Sequence, residues 1–315
     1  MTDYTDRPDL SVVIPVYNEE ETIPELLRRL TAVLDSMPES GEVIFVNDGS
    51  QDTSLQLLRQ AAESDHRIKV IDFSRNFGHQ AAILAGLSRA SGRATVMMDG
   101  DLQDPPELLP ELLALWAEGN QVVFAVRRSR KEGLLKRLAY RTYYRVLRSV
   151  AYVPIPVDSG DFSLVDERVR KLIVELPERN KFLRGLRAWA GFKQTRVEYD
   201  RSERFAGEPK YTFTKLVRLA LDGLVSYSFM PLRLTYVLGL VVSAGSFLLA
   251  FFYILQRLFA TDPIPQGFTT LAVLMLFLGG IQLIALGVLG EYIGRIYDEV
   301  KARPPYVEAE VLNLD

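Results

Sequence analysis

Short apolar runs alternate with amphipathic segments along the amino-terminal part of the chain. The apolar runs predict buried strands at residues 10–16, 42–46, 68–73, 94–98 and 121–126. The segments between them carry apolar side chains at helical spacing, and in residues 21–35 one face is formed by Ile23, Leu26, Leu27 and Leu30. Strands that alternate with helices in this way predict an α/β fold with a doubly wound, mostly parallel sheet.

The carboxyl-terminal part contains two runs without charged residues, 234–256 and 263–290. Each exceeds the roughly 20 apolar residues that a helix needs to cross a bilayer. Basic residues flank the pair at Lys210, Lys215, Arg218 and Arg233 before it and at Arg295, Lys301 and Arg303 after it. By the positive-inside rule, we expect two spans in the plasma (inner) membrane, with both chain ends in the cytoplasm. Residues 212–229 predict an amphipathic interface helix. The alternative is a helical hairpin buried in a large soluble domain.

The composition narrows the possible functions. The chain has 315 residues and a formal net charge of −3, which gives no basic field for nucleic acid. It has no cysteine and two histidines, so disulfides, thiolate metal sites and a histidine-rich zinc site are not expected. The second apolar run also carries small residues that favour close helix packing and hence a homo-oligomer, a dimer or a tetramer, at Gly279, Gly280, Gly287 and Gly290.

Acidic residues follow the fourth predicted strand directly. Asp99 and Asp101 are separated by Gly100, and Gln103 adds another oxygen. Two carboxylates at this spacing can bind a hard divalent cation that keeps open positions for nucleotide phosphates. Because ligands bind at the carboxyl ends of the strands in such sheets, we favour this reading over a solvated turn that caps the next helix. Asp161 precedes another apolar stretch and is a candidate for the same crevice, with a turn as the alternative.

Polar residues also follow the first two predicted strands. Tyr17 offers a ring for stacking, while Asn18 and Glu19 offer polar groups to a ribose or a base edge. Asp48 can accept a hydrogen bond from a base N–H, although residues 47–50 are equally typical of a simple turn. No Gly-x-Gly-x-x-Gly motif follows the first strand and no Gly-rich Lys loop occurs, which disfavours dinucleotide cofactors and the common ATPase chemistry.

Two basic segments are candidates for phosphate binding. The amphipathic segment 127–148 is typical of membrane-surface or anionic head-group binding, and Arg128 stands where it can reach a diphosphate. Residues 201–211 predict a mobile loop in which Arg204 and Lys210 close over phosphates. A charged linker is the alternative for that second segment.

Six motifs occur in an order that resembles one enzyme family. They are VIPVYNEE at 13–20, VNDGS at 46–50, RNFG at 75–78, DGDLQDPPE at 99–107, DSGDF at 158–162 and RFAGEPKY at 204–211. With the paired apolar runs, the chain resembles the polyprenyl-phosphate glycosyltransferases of glycosyltransferase family two. It is similar to bactoprenol glucosyltransferases and, more distantly, to dolichol-phosphate mannose synthases. One departure is His79, where a basic residue such as lysine is commoner.

The resemblance implies a division of the chain into four parts. A cytoplasmic catalytic domain with the Rossmann-like GT-A fold would occupy residues 1–200, followed by a mobile loop and an amphipathic juxtamembrane helix over 201–232. A transmembrane hairpin would occupy 233–293 and a cytoplasmic tail 294–315.

The resemblance also implies roles for individual residues. The nucleoside would be held by Pro15, Tyr17, Asn18, Glu19 and Asp48. The cofactor, Mg²⁺ or Mn²⁺, would be bound by Asp99, Asp101 and Gln103, with Asp99 also within reach of the ribose. The diphosphate or the lipid phosphate would be neutralised by Arg128, Arg204 and Lys210. Asp161 would lie beside the reacting centre and would form the catalytic set with Asp101, Arg204 and Lys210.

The expected activity is the metal-dependent, inverting transfer of one sugar from a nucleotide sugar to undecaprenyl or another polyprenyl phosphate. The donor is expected to be UDP-glucose or another UDP-sugar, and the reaction to take place at the cytoplasmic membrane face. Two alternatives remain. One is a membrane polysaccharide synthase that uses a saccharide hydroxyl as acceptor, and the other is a non-catalytic nucleotide-binding membrane adaptor.

Overall fold

The computed structural model describes residues 7–128, 159–178, 181–200, 230–259 and 267–314. The chain divides into two compact units, one built on a β-sheet and one containing two long helices. The sheet unit also includes the residues from 304 onward, which follow the two helices in sequence.

Eight strands form one sheet within the described ranges. In chain order they are β1 (Leu10–Val16), β2 (Gly41–Asn47), β3 (Ile68–Phe73), β4 (Ala94–Met97), β5 (Val122–Arg127), β6 (Ser159–Asp166), β7 (Gln194–Tyr199) and β8 (Glu308–Leu312). Their spatial order is β7-β5-β6-β4-β1-β2-β3-β8. Four neighbouring pairs are parallel and three, each involving β6 or β8, are antiparallel. The predicted α/β sheet is therefore confirmed as mostly parallel, with two antiparallel strands added.

Strand β1 lies at the centre of the sheet, and its burial explains why the apolar pattern predicted it correctly. It pairs in parallel with β2 on one side and with β4 on the other, and all seven of its residues are buried. Its alternate side chains enter different apolar clusters: Val12 and Ile14 join Leu26, whereas Val13 joins Ile83. Because successive side chains of a strand point to opposite faces, the sheet is covered by an apolar layer on each face.

Six α-helices and one short 3₁₀ helix, Pro106–Leu108, accompany the sheet within the described ranges. The α-helices are α1 (Ile23–Ser36), α2 (Ser54–Ser64), α3 (His79–Arg89), α4 (Leu109–Ala117), α5 (Glu167–Glu175) and α6 (Leu183–Trp189). The predicted apolar face of α1 is confirmed, since Ile23, Leu26 and Leu30 are buried. The helix tolerates Pro24 in its first turn, where a backbone N–H has no partner within the helix.

Strand β6 is the element that brings a distant part of the chain to the end of β4. The two strands are antiparallel, and Met97 pairs with Ser163. Two residues further along, this register leads to Asp99 on one chain segment and to Asp161 on the other. Of the two alternatives left open for Asp161, the sheet and a turn, the structure shows the sheet, because Asp161 lies within β6.

The carboxyl-terminal residues require a correction to the predicted division of the chain. Residues 294–315 were expected to form a tail, but β8 pairs antiparallel with β3 and completes the edge of the sheet. Its sequence alternates Glu308 and Glu310 with small or apolar residues, a pattern that suits a half-exposed edge strand. Arg89 and Arg59 form ion pairs with these two glutamates, which compensates their charge at the sheet edge.

The second unit contains helices α7 (Met230–Phe259) and α8 (Phe268–Val300). Within the described residues, one helical segment, Phe277–Val300, is long and apolar enough to cross a membrane, and Leu234–Leu249 is a shorter apolar helix. The two-span topology therefore remains a prediction. The predicted interface helix at 212–229 lies outside the described residues, as do the basic segment from 129 onward and the loop at 201–211.

Candidate active site

The acidic loop begins directly after β4 and packs closely against the end of β1. A Cβ atom added at Gly100 would lie 3.3 Å from the carbonyl oxygen of Pro15, so glycine permits this approach. Leu102 is buried and adopts a φ of 59°, a conformation that costs a non-glycine residue about 1–3 kcal/mol. The main-chain N–H of Gln103 donates to Asp101 Oδ1 at 3.1 Å, which closes the turn. This strained turn fixes the three predicted metal-binding side chains on one short loop.

Two buried oxygen atoms of this loop have no hydrogen-bond donor among the described residues. They are Asp99 Oδ1 and Gln103 Oε1. A buried polar atom without a partner is costly, and a ligand bound at this loop would satisfy both oxygens. Carboxylate and amide oxygens suit Mg²⁺ or Mn²⁺, and the residues present therefore fit a divalent cation. Within the described ranges, no three Asp, Glu, His or Cys side chains are grouped to bind a metal ion by themselves. The remaining ligands would be water or phosphate oxygens.

The negative charges around Asp99 also favour a cation at this loop. Burial and the nearby carboxylates of Asp104, Asp161 and Asp101 together raise the pKa of Asp99 to about 7, against the opposing effect of His79. Asp104 itself is buried and accepts a hydrogen bond from the Tyr199 hydroxyl at 2.7 Å. This crowding of negative charge is unfavourable in the protein alone, and a bound divalent cation would relieve it.

Asp161 forms a bidentate ion pair with Arg184. Its Oδ1 and Oδ2 atoms accept from Nε and Nη2 of Arg184 on α6, at 2.7 and 2.8 Å. His79 Nε2 lies 3.5 Å from Asp161 Oδ2 and 3.6 Å from Asp99 Oδ1, between the two carboxylates. Burial would raise the pKa of Asp161, but the hydrogen bonds from Arg184 and His79 outweigh burial and hold it well below its ordinary value. Asp161 is therefore a carboxylate at neutral pH and a poor proton acceptor.

Arg187, one turn further along α6, fixes the backbone that carries Asp161. This buried arginine donates to the main-chain oxygen of Gly160 at 3.0 Å and also bonds Ser163 Oγ. Burial lowers the pKa of Arg187 to about 10, so the side chain remains charged at neutral pH. The sequence analysis missed both arginines, because α6 follows Asp161 by more than twenty residues and carries no recognisable motif. His79 was named only as a departure from the family pattern and was given no role, whereas the structure places it between the two carboxylates.

The loops that follow β1 and β2 bind each other tightly. The main-chain N–H of Asn18 donates to Ser50 Oγ at 3.0 Å, and Asn18 Oδ1 accepts from the N–H of Gln51 at 2.8 Å. The N–H of Glu19 donates to Ser54 Oγ at 2.9 Å. The side chain of Tyr17 remains 41% exposed beside these loops. A rigid pair of loops with one accessible ring suits the stacking role predicted for Tyr17.

Asp48 holds a neighbouring loop of the protein, and its predicted contact with the nucleoside stays a prediction. The sequence analysis expected its carboxylate to accept from a base N–H, but it accepts from the main-chain N–H groups of Phe77, at 2.6 Å, and Gly78, at 3.0 Å. Burial raises the pKa of Asp48 despite these bonds. Gly78 adopts a φ of 100° and directly precedes α3, whose first residue is His79. Asp48 therefore fixes the loop after β3 and the start of α3.

Gly49 is expected to tolerate no side chain. It adopts a φ of 67°, and an added Cβ would lie 2.5 Å from the carbonyl carbon of Arg75. Gly49→Ala should lower the free energy of unfolding by at least roughly 3 kcal/mol, because backbone strain and steric overlap add. Gly119→Ala is the matched control, since Gly119 has a φ of 88° and open space around it, and should cost only about 1–2 kcal/mol. Thermal unfolding of the two variants measures the difference, and equal losses would contradict the close contact at Gly49.

Of the three predicted phosphate-binding residues, only Arg128 lies within the described part of the chain. Arg128 lies just beyond β5, is 60% exposed, and donates to Asp200 Oδ2 at 3.2 Å. Its role toward a diphosphate stays a prediction. Arg204 and Lys210 lie outside the described residues.

Comparison with known proteins gives two family matches that together cover most of the chain. Residues 11–172 match the family described as glycosyl transferase family 2, and residues 230–296 match the GtrB C-terminal hairpin. The chain is 49% identical to the uncharacterized glycosyltransferase YkcC of Bacillus subtilis, over 94% of this chain and 92% of that protein. It is 42% identical to the bactoprenol glucosyl transferase of Shigella phage SfII, over 95% of this chain and 96% of that protein.

A solved structure supports the fold. Glucosyl-3-phosphoglycerate synthase from Mycobacterium tuberculosis, crystallised with Mn²⁺, UDP-glucose and glycerol 3-phosphate, is 19% identical and aligns with a TM-score of 0.50. The alignment covers 70% of this chain and 79% of that one. At this level of identity the likeness concerns the fold, and it confirms the GT-A expectation for the sheet unit.

Proposed function

Because the chain belongs to glycosyl transferase family 2 and is a glycosyltransferase, we propose that it transfers one sugar from a UDP-sugar to a polyprenyl phosphate at the cytoplasmic face of a membrane. UDP-glucose is the first donor to test. A relative that matches nearly the full length is named a bactoprenol glucosyl transferase, which supports a polyprenyl phosphate as the acceptor class. The carboxyl-terminal hairpin supports a location at the membrane that holds such a lipid.

The observation that carries this proposal is the pairing of an unsatisfied oxygen cluster with a neutralised carboxylate. The unsatisfied oxygens are Asp99 Oδ1 and Gln103 Oε1, Asp101 lies on the same loop, and Asp161 is tied to Arg184. Bound at this loop, Mg²⁺ or Mn²⁺ would stabilise the charge that develops on the departing UDP. A divalent cation bound together with a nucleotide donor would thus account for the unmet acceptors of the loop.

The state of Asp161 favours a phosphate acceptor over a sugar hydroxyl. A hydroxyl acceptor needs a base to remove its proton, and a carboxylate with a pKa held far below neutral is poorly suited to that task. A phosphate monoester has a second pKa near ~6 and is already largely an anionic nucleophile at neutral pH. Its oxygen can attack the anomeric carbon while the bond from that carbon to the UDP oxygen breaks. A single in-line displacement of this kind inverts the anomeric centre.

The residues around Asp161 then act by positioning. Arg184 holds the carboxylate in one orientation, and His79 lies between it and Asp99. Burial opposes protonation of His79, but the hydrogen bond to Asp161 and the charge of Asp99 outweigh burial and raise its pKa, which favours the cationic form beside the permanently charged Arg184. We expect them to keep the carboxylates from repelling the acceptor phosphate.

A product analysis tests the proposal. The purified protein in detergent micelles is supplied with undecaprenyl phosphate, Mg²⁺ or Mn²⁺ and a panel of radiolabelled UDP-sugars. We expect one UDP-sugar to give a lipid that carries a single sugar on its phosphate. A growing glycan, or label on an added saccharide, would instead identify a polysaccharide synthase. Nucleotide binding without any transfer, across the whole panel, would leave the adaptor alternative.

A further inference from the structure

The segment that follows the two long helices packs against the back of the candidate donor site. Strand β8 pairs with β3 from Leu312 opposite Val70 to Glu308 opposite Phe73. The N–H of Ser74, just beyond β3, donates to the carbonyl oxygen of Val307 at 3.0 Å. The carboxyl-terminal segment is therefore hydrogen-bonded as far as the start of the loop at 74–78.

An aromatic chain continues this contact into the loop. The ring of Tyr306 stacks on Phe73, with centroids 5.0 Å apart and planes at 11°. Phe73 in turn meets Phe77 edge to face, with centroids 5.7 Å apart. Aromatic pairs at such distances stabilise one another by about 0.5–1.5 kcal/mol beyond the burial of their area. Phe77 is the residue whose main-chain N–H donates to Asp48.

The loop at 74–78 connects the two halves of the site. On one side, Asp48 holds it beside the turn that contains Gly49. On the other side, it leads directly into α3, where His79 lies close to Asp99 and Asp161. A shift of this loop would move groups at both the nucleoside end and the reacting end of the crevice.

We propose that the segment 304–314 positions this loop for donor binding, with Tyr306 as the positioning residue. The nature of the donor rests on the proposed function. The segment adds no group to the nucleotide, and it acts through Phe73 and Phe77. The catalytic domain would then be complete only with the chain that returns from the helical hairpin, so that donor binding depends on both sides of the hairpin in sequence.

The simpler reading is that β8 only covers an exposed sheet edge. Asn313 offers a matched control for that role, because its side-chain amide donates to the carbonyl oxygens of Ala62 and Ile68 at 2.8 Å. These contacts lie at the opposite end of β3 from Phe73. Asn313→Ala therefore loosens the strand without touching the aromatic chain. Tyr306→Phe keeps the stacked ring and removes only the contact of the hydroxyl with Ser88 Oγ.

The experiment measures UDP binding to the full-length protein in detergent with Mn²⁺ by titration calorimetry, alongside thermal unfolding. We expect Tyr306→Ala to weaken UDP binding about tenfold, equivalent to ~1.4 kcal/mol. Tyr306→Phe and Asn313→Ala should stay within about twofold of wild type, even where Asn313→Ala lowers the unfolding temperature as much as Tyr306→Ala does. Equal affinities for all variants, or an equal loss in Asn313→Ala, would overturn the proposal.

A second measurement separates this inference from the proposed function. Hydrogen exchange of the ligand-free protein reports the amides of Phe77 and Gly78, which donate to Asp48. Tyr306→Ala should speed their exchange, and Asn313→Ala should not. If wild type binds no UDP, the proposed donor fails and the exchange result alone decides the positioning role. Unchanged exchange in Tyr306→Ala would refute that role.

Discussion

Asp99→Asn is expected to abolish sugar transfer and, at the same time, to stabilise the cation-free protein. The substitution removes one proposed cation ligand and a carboxylate that is crowded by Asp104, Asp161 and Asp101. Loss of a charged ligand from such a site should lower turnover by at least roughly a thousandfold. Removal of a carboxylate that neighbouring negative charges crowd should raise the unfolding temperature in EDTA.

The raised pKa of Asp99 determines how the stability of the cation-free protein should change with pH. The pKa of Asp99 rises from 3.8 to about 7 on folding, so the folded protein binds more protons than the unfolded chain between these values. Stability contributed by this group is therefore lost as the pH rises through that window. In EDTA, wild type should lose more stability between pH 5 and pH 8 than Asp99→Asn does.

Cation binding should restore the stability that wild type loses at high pH. Mn²⁺ should raise the unfolding temperature of wild type at pH 8, because a ligand that binds only the folded state stabilises it, and should leave Asp99→Asn unchanged. Asp35→Asn, at an exposed carboxylate paired with Arg67, is a control that should respond to Mn²⁺ as wild type does. An equal Mn²⁺ response in Asp99→Asn would argue against a cation at this loop.

Arg184→Ala is expected to have the second large effect, on both stability and turnover. It leaves Asp161, whose side chain is 9% exposed, without its two strongest donors. The cost should be about 3 kcal/mol, at the low end for a broken buried ion pair because Arg184 is 34% exposed. We expect kcat to fall about a hundredfold while UDP affinity changes less than fivefold, since neither residue is placed at the nucleoside.

A double-mutant cycle separates the two effects. The double variant Asp161→Asn with Arg184→Ala removes both charges, so it should regain much of the stability that Arg184→Ala loses. Its kcat should remain as low as that of Arg184→Ala. Arg184→Lys keeps the charge without the two-pronged geometry and should recover only part of the turnover. A normal rate in Asp161→Asn would reject any role of this ion pair in the reaction.

The residues of the central strands show why much of the fold follows from the sequence. Strand β1 is buried on both faces, and such a strand is an uninterrupted apolar run that is easily recognised. Strand β8 was not predicted, because Glu308 and Glu310 interrupt its apolar residues. The ion pairs of these glutamates with Arg89 and Arg59 form only in the folded chain. An edge strand of this kind has no strong signal of its own.

The site divides in a similar way. The closely spaced Asp99 and Asp101 form a local signature, so their position at the end of a strand was predictable. The partnership of Asp161 with Arg184 joins two elements that are separated in sequence, and pairing of this kind depends on the antiparallel register of β6. The hydrogen bonds of Asp48 with the backbone N–H groups of Phe77 and Gly78 join residues about thirty positions apart, so the sequence around Asp48 carries no signal of them.

The most direct test of the account is a transfer assay on EDTA-treated protein, reconstituted in bilayers that contain undecaprenyl phosphate. The UDP-sugar selected from the panel is added, and Mg²⁺ or Mn²⁺ is titrated. The account predicts that UDP and a lipid bearing one sugar on its phosphate appear in equal amounts, and only when the cation is present. Full transfer without the cation, or no consumption of any activated sugar with it, would contradict the account.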